Sequence, residues 1–349
     1  VPSKPEDYGY KSLSSVVSKA QQKMLDTRSG IFRPVFTSSR KETKAIGGFY
    51  PSDQIVIAGR PGGGKTARLI QLMVDFCDPK LNPTYVDNLI ILYDSYEMAD
   101  WRNVLRMISR KESIEVKSLL DHAKALEQER FNFLVAAAES FKGLPIYISS
   151  RPVTAHKWME NKKQIQGLHP KKTIINLFDH TRLILKHEES REEEKLYNLL
   201  ANGMELKNNQ GMINFFLSQM NRNIETGVSR EKIGSIAPVS SDIFGSDFVY
   251  QSAEIVMALH RPGSYGIEKF EGIPTGIDKD NPDKPDNLLV ECLLKQREGW
   301  TGNIYMKHNL AHNKIEDYDL SVPTKADGGE MKKLNYGGEM KKLNFGWDA

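Results

Sequence analysis

Eight residues, Gly59 to Thr66, read GRPGGGKT and match the pattern G-x-x-x-x-G-K-[ST]. Glycines at this density let a loop turn its backbone N–H groups inward, and a concave row of N–H groups suits the oxygens of a polyphosphate. The loop follows an apolar run (QIVIA) and leads into a helical one (ARLIQLMVDF), so a helix N-terminus adds its field at the same point. In that arrangement Lys65 reaches the β- and γ-phosphates and the Thr66 hydroxyl holds Mg²⁺. Gly59, Arg60, Pro61, Gly62, Gly63, Gly64, Lys65, Thr66 and Ala67 are therefore the candidate phosphate-binding residues. The ligands that this chemistry implies are ATP, or another nucleoside triphosphate, with Mg²⁺.

A second group must complete the metal site, and water must be activated. Asp179 ends the apolar run TIINLFD, where a carboxylate can meet the metal held by Thr66. Glu97, in ILYDSYEMAD, stands just past another such run and can point across the same sheet edge, with Asp94 and Asp100 as competitors. Gln219 ends INFFLSQ; an amide there can sense the γ-phosphate and relay its loss to the next loop, or simply bond to backbone. Lys295 and Arg297 lie two apart in KQREGWTG, on one face of a strand, as half of a phosphate clamp or as a solvated edge.

The elements that position these residues alternate. Apolar, β-branched runs occur at Gln54–Ala58, Asn88–Tyr93, Leu144–Ser150, Thr173–Asp179, Ile213–Gln219, Ala253–His260 and Leu288–Gln296. Helical stretches at Ala67–Phe76, Trp101–Ser109, Ser118–Phe141 and Glu193–Lys207 separate most of them. Strands apolar along their whole length, spaced by helices, predict an α/β fold with a mostly parallel central sheet covered on both faces. Leu288–Gln296 and Asn303–His308 predict an antiparallel hairpin at one sheet edge, and Arg261–Asp286, rich in Gly, Pro and Asp, a long surface loop. Leu13, Val16, Val17, Ala20 and Met24 recur at helical spacing, so a short amphipathic helix from about Ser12 to Leu25 must bury one face against its own domain or a neighbour. The organisation expected is an N-terminal arm over 1–45, a motor domain over 46–320 and a flexible tail over 321–349. That tail carries the tandem repeat GGEMKKLNY and GGEMKKLNF.

Composition narrows little. A net charge of +3 leaves nucleic-acid binding open, because a basic stripe can be local. Cys77 and Cys292 sit in apolar runs and read as buried thiols of a reducing compartment. The chain carries no apolar stretch of membrane-spanning length and no signal core at its start, so no membrane partner is expected and the cytoplasm is the expected location (the host's, if phage-encoded).

Taken in order, GRPGGGKT, YDSYEM, LFDHTRLI, FLSQMNRNIE, the SSD…QSAEIVMALHR block and KQREGWTG resemble the C-terminal RecA-like motor domain of DnaB-type replicative helicases, over roughly residues 10–318. The resemblance implies that Glu97 is the catalytic glutamate, Asp179 the Walker-B aspartate, and Gln219 the glutamine coupling hydrolysis to DNA. It implies that Lys295 and Arg297 reach the nucleotide of the adjacent subunit, which makes a homo-hexamer with nucleotide sites at its interfaces part of the mechanism. The helix near 12–25 is similar to the family's linker helix, which packs on the neighbouring motor domain. The activity implied is ATP-driven translocation on single-stranded DNA, 5′ to 3′, with duplex unwinding at a replication fork, and with primase and a loader as further partners. Candidate DNA-contacting cations are Arg182, Lys186, Arg191, Arg222 and Arg230.

Three features depart from that pattern. The family's block close to SDLRESGSIEQ reads SDIFGSDFVYQ from Ser241 to Gln251, so Phe244 and Gly245 replace an Arg-Glu pair and Asp247 a glycine. No counterpart of the family's N-terminal helical domain is present in this sequence, as expected of a trimmed chain or of a short phage or mobile-element form, and the repeat tail has no counterpart in the family. Two other readings share the motor core: a RecA-like recombinase or filament ATPase, and an ATP- and DNA-binding scaffold that does not unwind.

Overall fold

The apolar runs become strands: β1 Gln54–Gly59, β2 Leu89–Ser95, β3 Ile146–Ser149, β4 Thr173–Asp179, β5 Ile213–Gln219 and β6 Ile255–His260. In the computed structural model, which describes residues 4–5, 9–120, 127–185, 191–221, 236–277, 286–297 and 299–319, these six pair in parallel in the spatial order β6-β1-β5-β4-β2-β3. β1, β2 and β6 are buried along their whole lengths, as strands covered on both faces must be. Beyond β6 the sheet continues antiparallel through β9 Leu288–Gln296, β10 Gly302–Asn309 and β11 Lys314–Asp317. The expected edge hairpin is thus β9–β10, with one further strand outside it.

The helices are α1 Leu13–Arg28, α2 Arg40–Ile46, α3 Lys65–Phe76, α4 Asp100–Glu112, α5 Val116–Leu119, α6 Gln128–Glu139, α7 Ala155–Leu168, α8 Glu192–Gln210 and α9 Ser246–Ser252. Alternate strand residues divide between the two faces of the sheet. Ile55, Ile57, Phe215 and Leu217 join a core with Leu69, Ile70, Met73 and Phe76 of α3. Phe178 and Phe216 point the other way, where their ring centroids lie 6.0 and 5.8 Å from that of Trp158 on α7.

Several expectations need correction. The stretch Ser118–Phe141 does not begin as one helix: the four-residue α5 ends at Leu119, and α6 starts at Gln128. α7, between β3 and β4, carries too many charges on a short apolar stripe for its period to stand out. Arg261–Asp286 is not simply surface loop. It holds a two-stranded hairpin, β7 Lys269–Phe270 with β8 Ile273–Pro274, whose Phe270 and Ile273 are buried. Arg261 and Asp286 pair across the base of that excursion. The repeat at 328–345 lies outside the described residues.

A buried charge cluster ties α3 to its neighbours. Arg68, one turn past the nucleotide loop, is 1% exposed and pairs with Glu42 of α2 and, at 3.3 Å, with Glu291 of β9. Desolvating three charges is favourable only because they compensate one another. α1 is the contrary case. It starts at Ser12, whose hydroxyl accepts the Ser15 N–H, yet none of its residues is buried, and Leu13, Met24 and Leu25 are more than half exposed. Of the two covers open to its apolar face, the chain's own described residues do not supply one.

Candidate nucleotide site at the carboxyl edge of the sheet

The loop after β1 is built on backbone freedom. Gly64 holds φ +92°, in the left-handed region, and caps α3, so the chain turns abruptly into Lys65. A Cβ on Gly63 would meet the Arg60 carbonyl at 2.9 Å, which the tight turn cannot admit. Inside this cradle the Lys65 ammonium donates to the carbonyls of Gly59 at 2.8 Å and Arg60 at 3.0 Å. Burial lowers its pKa, against the pull of Asp179 and Glu97. Ala67 is buried at the start of α3. Arg261, which was not singled out in the sequence, braces the loop from outside by donating to the Gly62 carbonyl at 2.6 Å. Its only local signal is its position just after β6.

The Thr66 hydroxyl donates to Asp179 Oδ2 at 2.9 Å, and the Tyr93 hydroxyl approaches the same oxygen at 3.3 Å. Burial pushes the Asp179 carboxyl up to about 6, although the Thr66 hydrogen bond pulls it down. Asp179 Oδ1 is buried with no hydrogen-bond partner. A desolvated carboxylate oxygen without a donor, beside a threonine hydroxyl and a lysine-lined phosphate cradle, fits a hard cation that takes oxygen ligands. Thr66 and Asp179 would hold Mg²⁺ here.

The competition among the three acids near β2 is decided by packing. Asp94 is buried and bonded to the Trp158 indole N–H at 2.8 Å and to Lys162 at 2.7 Å, so it anchors α7. Asp100 opens α4, and its Oδ1 accepts the Trp101 N–H at 2.8 Å. Glu97 alone keeps a largely exposed carboxylate on the Lys65–Asp179 side, 3.8 Å from His180 Nε2. Burial lowers the His180 pKa, and Glu97 counters that. Gln219 sits next to the same ring, its Nε2 3.3 Å from His180 Nε2, and its Oε1 accepts from Arg182 at 3.4 Å. His180 therefore stands between Glu97 and Gln219. The sequence singled out neither this histidine nor Tyr93, because each acts only through strands brought together across the sheet.

Lys295 and Arg297 are not part of this cluster. β9 runs antiparallel to β6, and Gln296 pairs with Ile255, which itself pairs with Ile55 near the beginning of β1. The pair therefore sits at the amino edge of the parallel strands, whereas Lys65 follows their carboxyl edge. Five residues of strand at ~3.3 Å each separate the two edges by roughly 15 Å or more. Arg297 lies 3.6 Å from Glu254, and Lys295 donates to the Tyr250 carbonyl beneath it. Burial lowers the Lys295 pKa, and neighbouring Arg297 adds to that.

Of the candidate DNA contacts, Arg182 is exposed beside Gln219, and Arg191 is exposed at the start of α8. Lys186, Arg222 and Arg230 lie outside the described residues. Both cysteines are free; Cys292 is buried and Cys77 half-buried, and burial pushes the Cys77 thiol up to about 12. No helix among the described residues is long and apolar enough to cross a membrane.

A glycine-rich phosphate loop after the first strand of a parallel sheet, with a lysine, a threonine and a strand-end aspartate converging on it, defines a P-loop NTPase of RecA-like architecture. The family model for the DnaB-like helicase C-terminal domain matches residues 35–317, and the chain belongs to that family. It is 24% identical over 288 residues to the replicative DNA helicase DnaB of Rickettsia bellii (79% of this chain, 56% of that one). It is 26% identical over 304 residues to DnaB of Geobacillus stearothermophilus, covering 84% of this chain and 58% of that one. The chain thus spans little more than half the length of these relatives. Among solved structures, an ATPase domain solved by itself superposes with a TM-score of 0.72 at 17% identity, covering 89% of this chain and all of that one. A DnaB-like replicative helicase, studied with its interactions with primase, gives 0.69 at 17% identity over 89% of this chain and 68% of that one.

Proposed function

We propose that the chain is the motor of an ATP-dependent, ring-shaped replicative helicase. It assembles as a homo-hexamer, translocates 5′ to 3′ on single-stranded DNA and unwinds duplex at a fork. The observation that carries this reading is the split of the site. Lys65, Thr66, Asp179, Glu97 and Gln219 meet at one sheet edge, while Lys295 and Arg297 face away at the other. A chain whose basic pair lies a strand length from its own phosphate loop can apply it only to another copy's nucleotide. The uncovered face of α1 supports the same assembly, as a helix that docks on a neighbour.

In this reading Lys65 exchanges the Gly59 and Arg60 carbonyls for phosphate oxygens when nucleotide enters. Mg²⁺, when bound, neutralises charge on the β- and γ-phosphates. Glu97 orients the attacking water and accepts its proton, its exposed carboxylate being free to turn toward the γ-phosphate. Gln219 follows the γ-phosphate and passes its loss to the loop after β5. Arg297, with Lys295, stabilises transition-state charge in the adjoining copy's site. Arg182 and Arg191, with Lys186, Arg222 and Arg230, contact the strand; primase and a loader are further partners, and the location is the cytoplasm, the host's if the chain is phage-encoded.

A forked-duplex assay with 5′- or 3′-tailed substrates tests the reading, with Lys65→Ala as the inactive control. Unwinding of the 5′-tailed fork, together with six-fold rings in particle images, is the expected result. Filaments and strand pairing would favour the recombinase reading, and DNA binding without unwinding the scaffold.

A further inference from the structure

Phe244 is the residue at which the Ser241–Gln251 block departs most from the family's composition, and its surroundings hold it firmly. Its N–H donates to the Gln219 carbonyl at 3.1 Å, and the preceding Ile243 is buried and bridges to Met220. Gly245 follows at φ +67°, where a Cβ would come within 2.7 Å of a Leu196 methyl, so the backbone turns sharply just past the ring. The half-buried Phe244 side chain is thereby fixed against the ends of β4 and β5.

The guanidinium of Arg182, from the turn after β4, lies over this ring with its central carbon 5.0 Å from the centroid. Arg182 is exposed, so the planar group has one face on the aromatic and the other toward solvent. Lys195 donates to the Arg182 carbonyl at 2.7 Å and fixes the turn from behind. Close by, Tyr197 of α8, half exposed, stacks on Phe248 of α9 with centroids 4.1 Å apart. Aromatic rings and a stacked guanidinium beside cationic groups are the surface that takes up unstacked bases, whereas phosphates alone need only point charges.

We propose that Phe244 and the Arg182 guanidinium resting on it form a stacking step for a base of single-stranded DNA. The inference rests on the reading above that this edge faces a single strand, and adds that the strand is held by its bases as well as its phosphates. Arg182 also donates to Gln219 Oε1, and Gln219 lies against His180, which faces Glu97. A base that claims the guanidinium draws that hydrogen bond away from Gln219, so occupancy of the step reaches the hydrolytic glutamate through two contacts.

Binding of the full chain, with Mg²⁺ and a non-hydrolysable ATP analogue, to a labelled dT oligonucleotide and to an abasic one of equal length and charge tests this. The wild type is expected to prefer the base-bearing strand by roughly tenfold, the scale of one base–aromatic stack. Phe244→Ala is expected to bring that preference close to one, and Phe244→Trp to keep it. Arg182→Lys keeps the charge but loses the planar group, and is expected to lower the preference even if Phe244→Ala fails to fold. Equal affinity of the wild type for both strands overturns the stacking step and leaves single-strand binding standing. So does an undiminished preference in Phe244→Ala or Arg182→Lys. Failure of the wild type to bind either strand overturns both.

Discussion

Lys65 and Arg297 stand at opposite edges of one sheet. Lys65 follows the carboxyl end of β1, whereas the Arg297 N–H donates to the carbonyl of Glu254, whose own N–H donates to the Gln54 carbonyl at the start of that strand. The single chain therefore carries both halves of a phosphate clamp but cannot close it on itself.

Mixed subunits read this directly. Arg297→Ala alone and Glu97→Ala alone are each expected to lose most turnover, on the order of 10³-fold or more for a transferred arginine. Mixed together, the two variants form some interfaces with an intact Arg297 on one side and an intact Glu97 on the other. ATP hydrolysis in the mixture should rise well above either variant alone, and a mixture no better than its parts would refute action in trans.

Asp179 makes the site sensitive to pH. Its carboxyl is held at about 6, against 3.8 ordinarily, chiefly by burial. The folded chain takes up this proton below about pH 6, the unfolded chain only near 3.8. The buried charge thus opposes folding in full above pH 6, by on the order of 3 kcal/mol, and the penalty fades as pH falls from 6 toward 3.8. Without nucleotide, the unfolding midpoint of Asp179→Asn relative to wild type should be highest near pH 8 and fall back by pH 5. The same variant should lose the added stability that Mg²⁺-nucleotide confers on the wild type. A pH-independent difference would show that the charge is already compensated.

Gln219 touches His180 on one side and Arg182 on the other. Gln219→Ala should leave nucleotide affinity within about twofold while removing most of the stimulation of ATPase by single-stranded DNA, since only the link between the loops is cut. Comparing turnover with and without poly(dT) measures this, and stimulation equal to wild type would exclude Gln219 as the coupling residue.

Arg68→Ala leaves Glu42 and Glu291 buried together without their cation. Burial already pushes the Glu291 carboxyl up to about 7, with Arg68 pulling it down. Urea unfolding near pH 8 should show a loss of about 3–5 kcal/mol, the usual cost of breaking a buried pair from one side. The loss should shrink at lower pH, where the carboxyls can be neutralised by protons; an exposed-pair value below about 1 kcal/mol would mean that water reaches the cluster.

Features that rest on neighbouring residues could be read from the chain alone. GRPGGGKT needs only its own glycines and the helix behind it to become a phosphate cradle, and whole-length apolar runs such as INFFLSQ can be satisfied only inside a covered parallel sheet. Whatever depends on which strands lie side by side waited for the folded arrangement. Glu97 differs from Asp94 only because Trp158 and Lys162 of α7 claim Asp94, and no local pattern near residue 94 announces that helix. His180 becomes the link between Glu97 and Gln219 only once β2, β4 and β5 are neighbours. Lys295 and Arg297 read as two cations on one strand face; the antiparallel pairing of β9 with β6 turned them away from Lys65. Local backbone chemistry is written within a few residues, whereas strand order and direction are settled by the burial of the whole sheet.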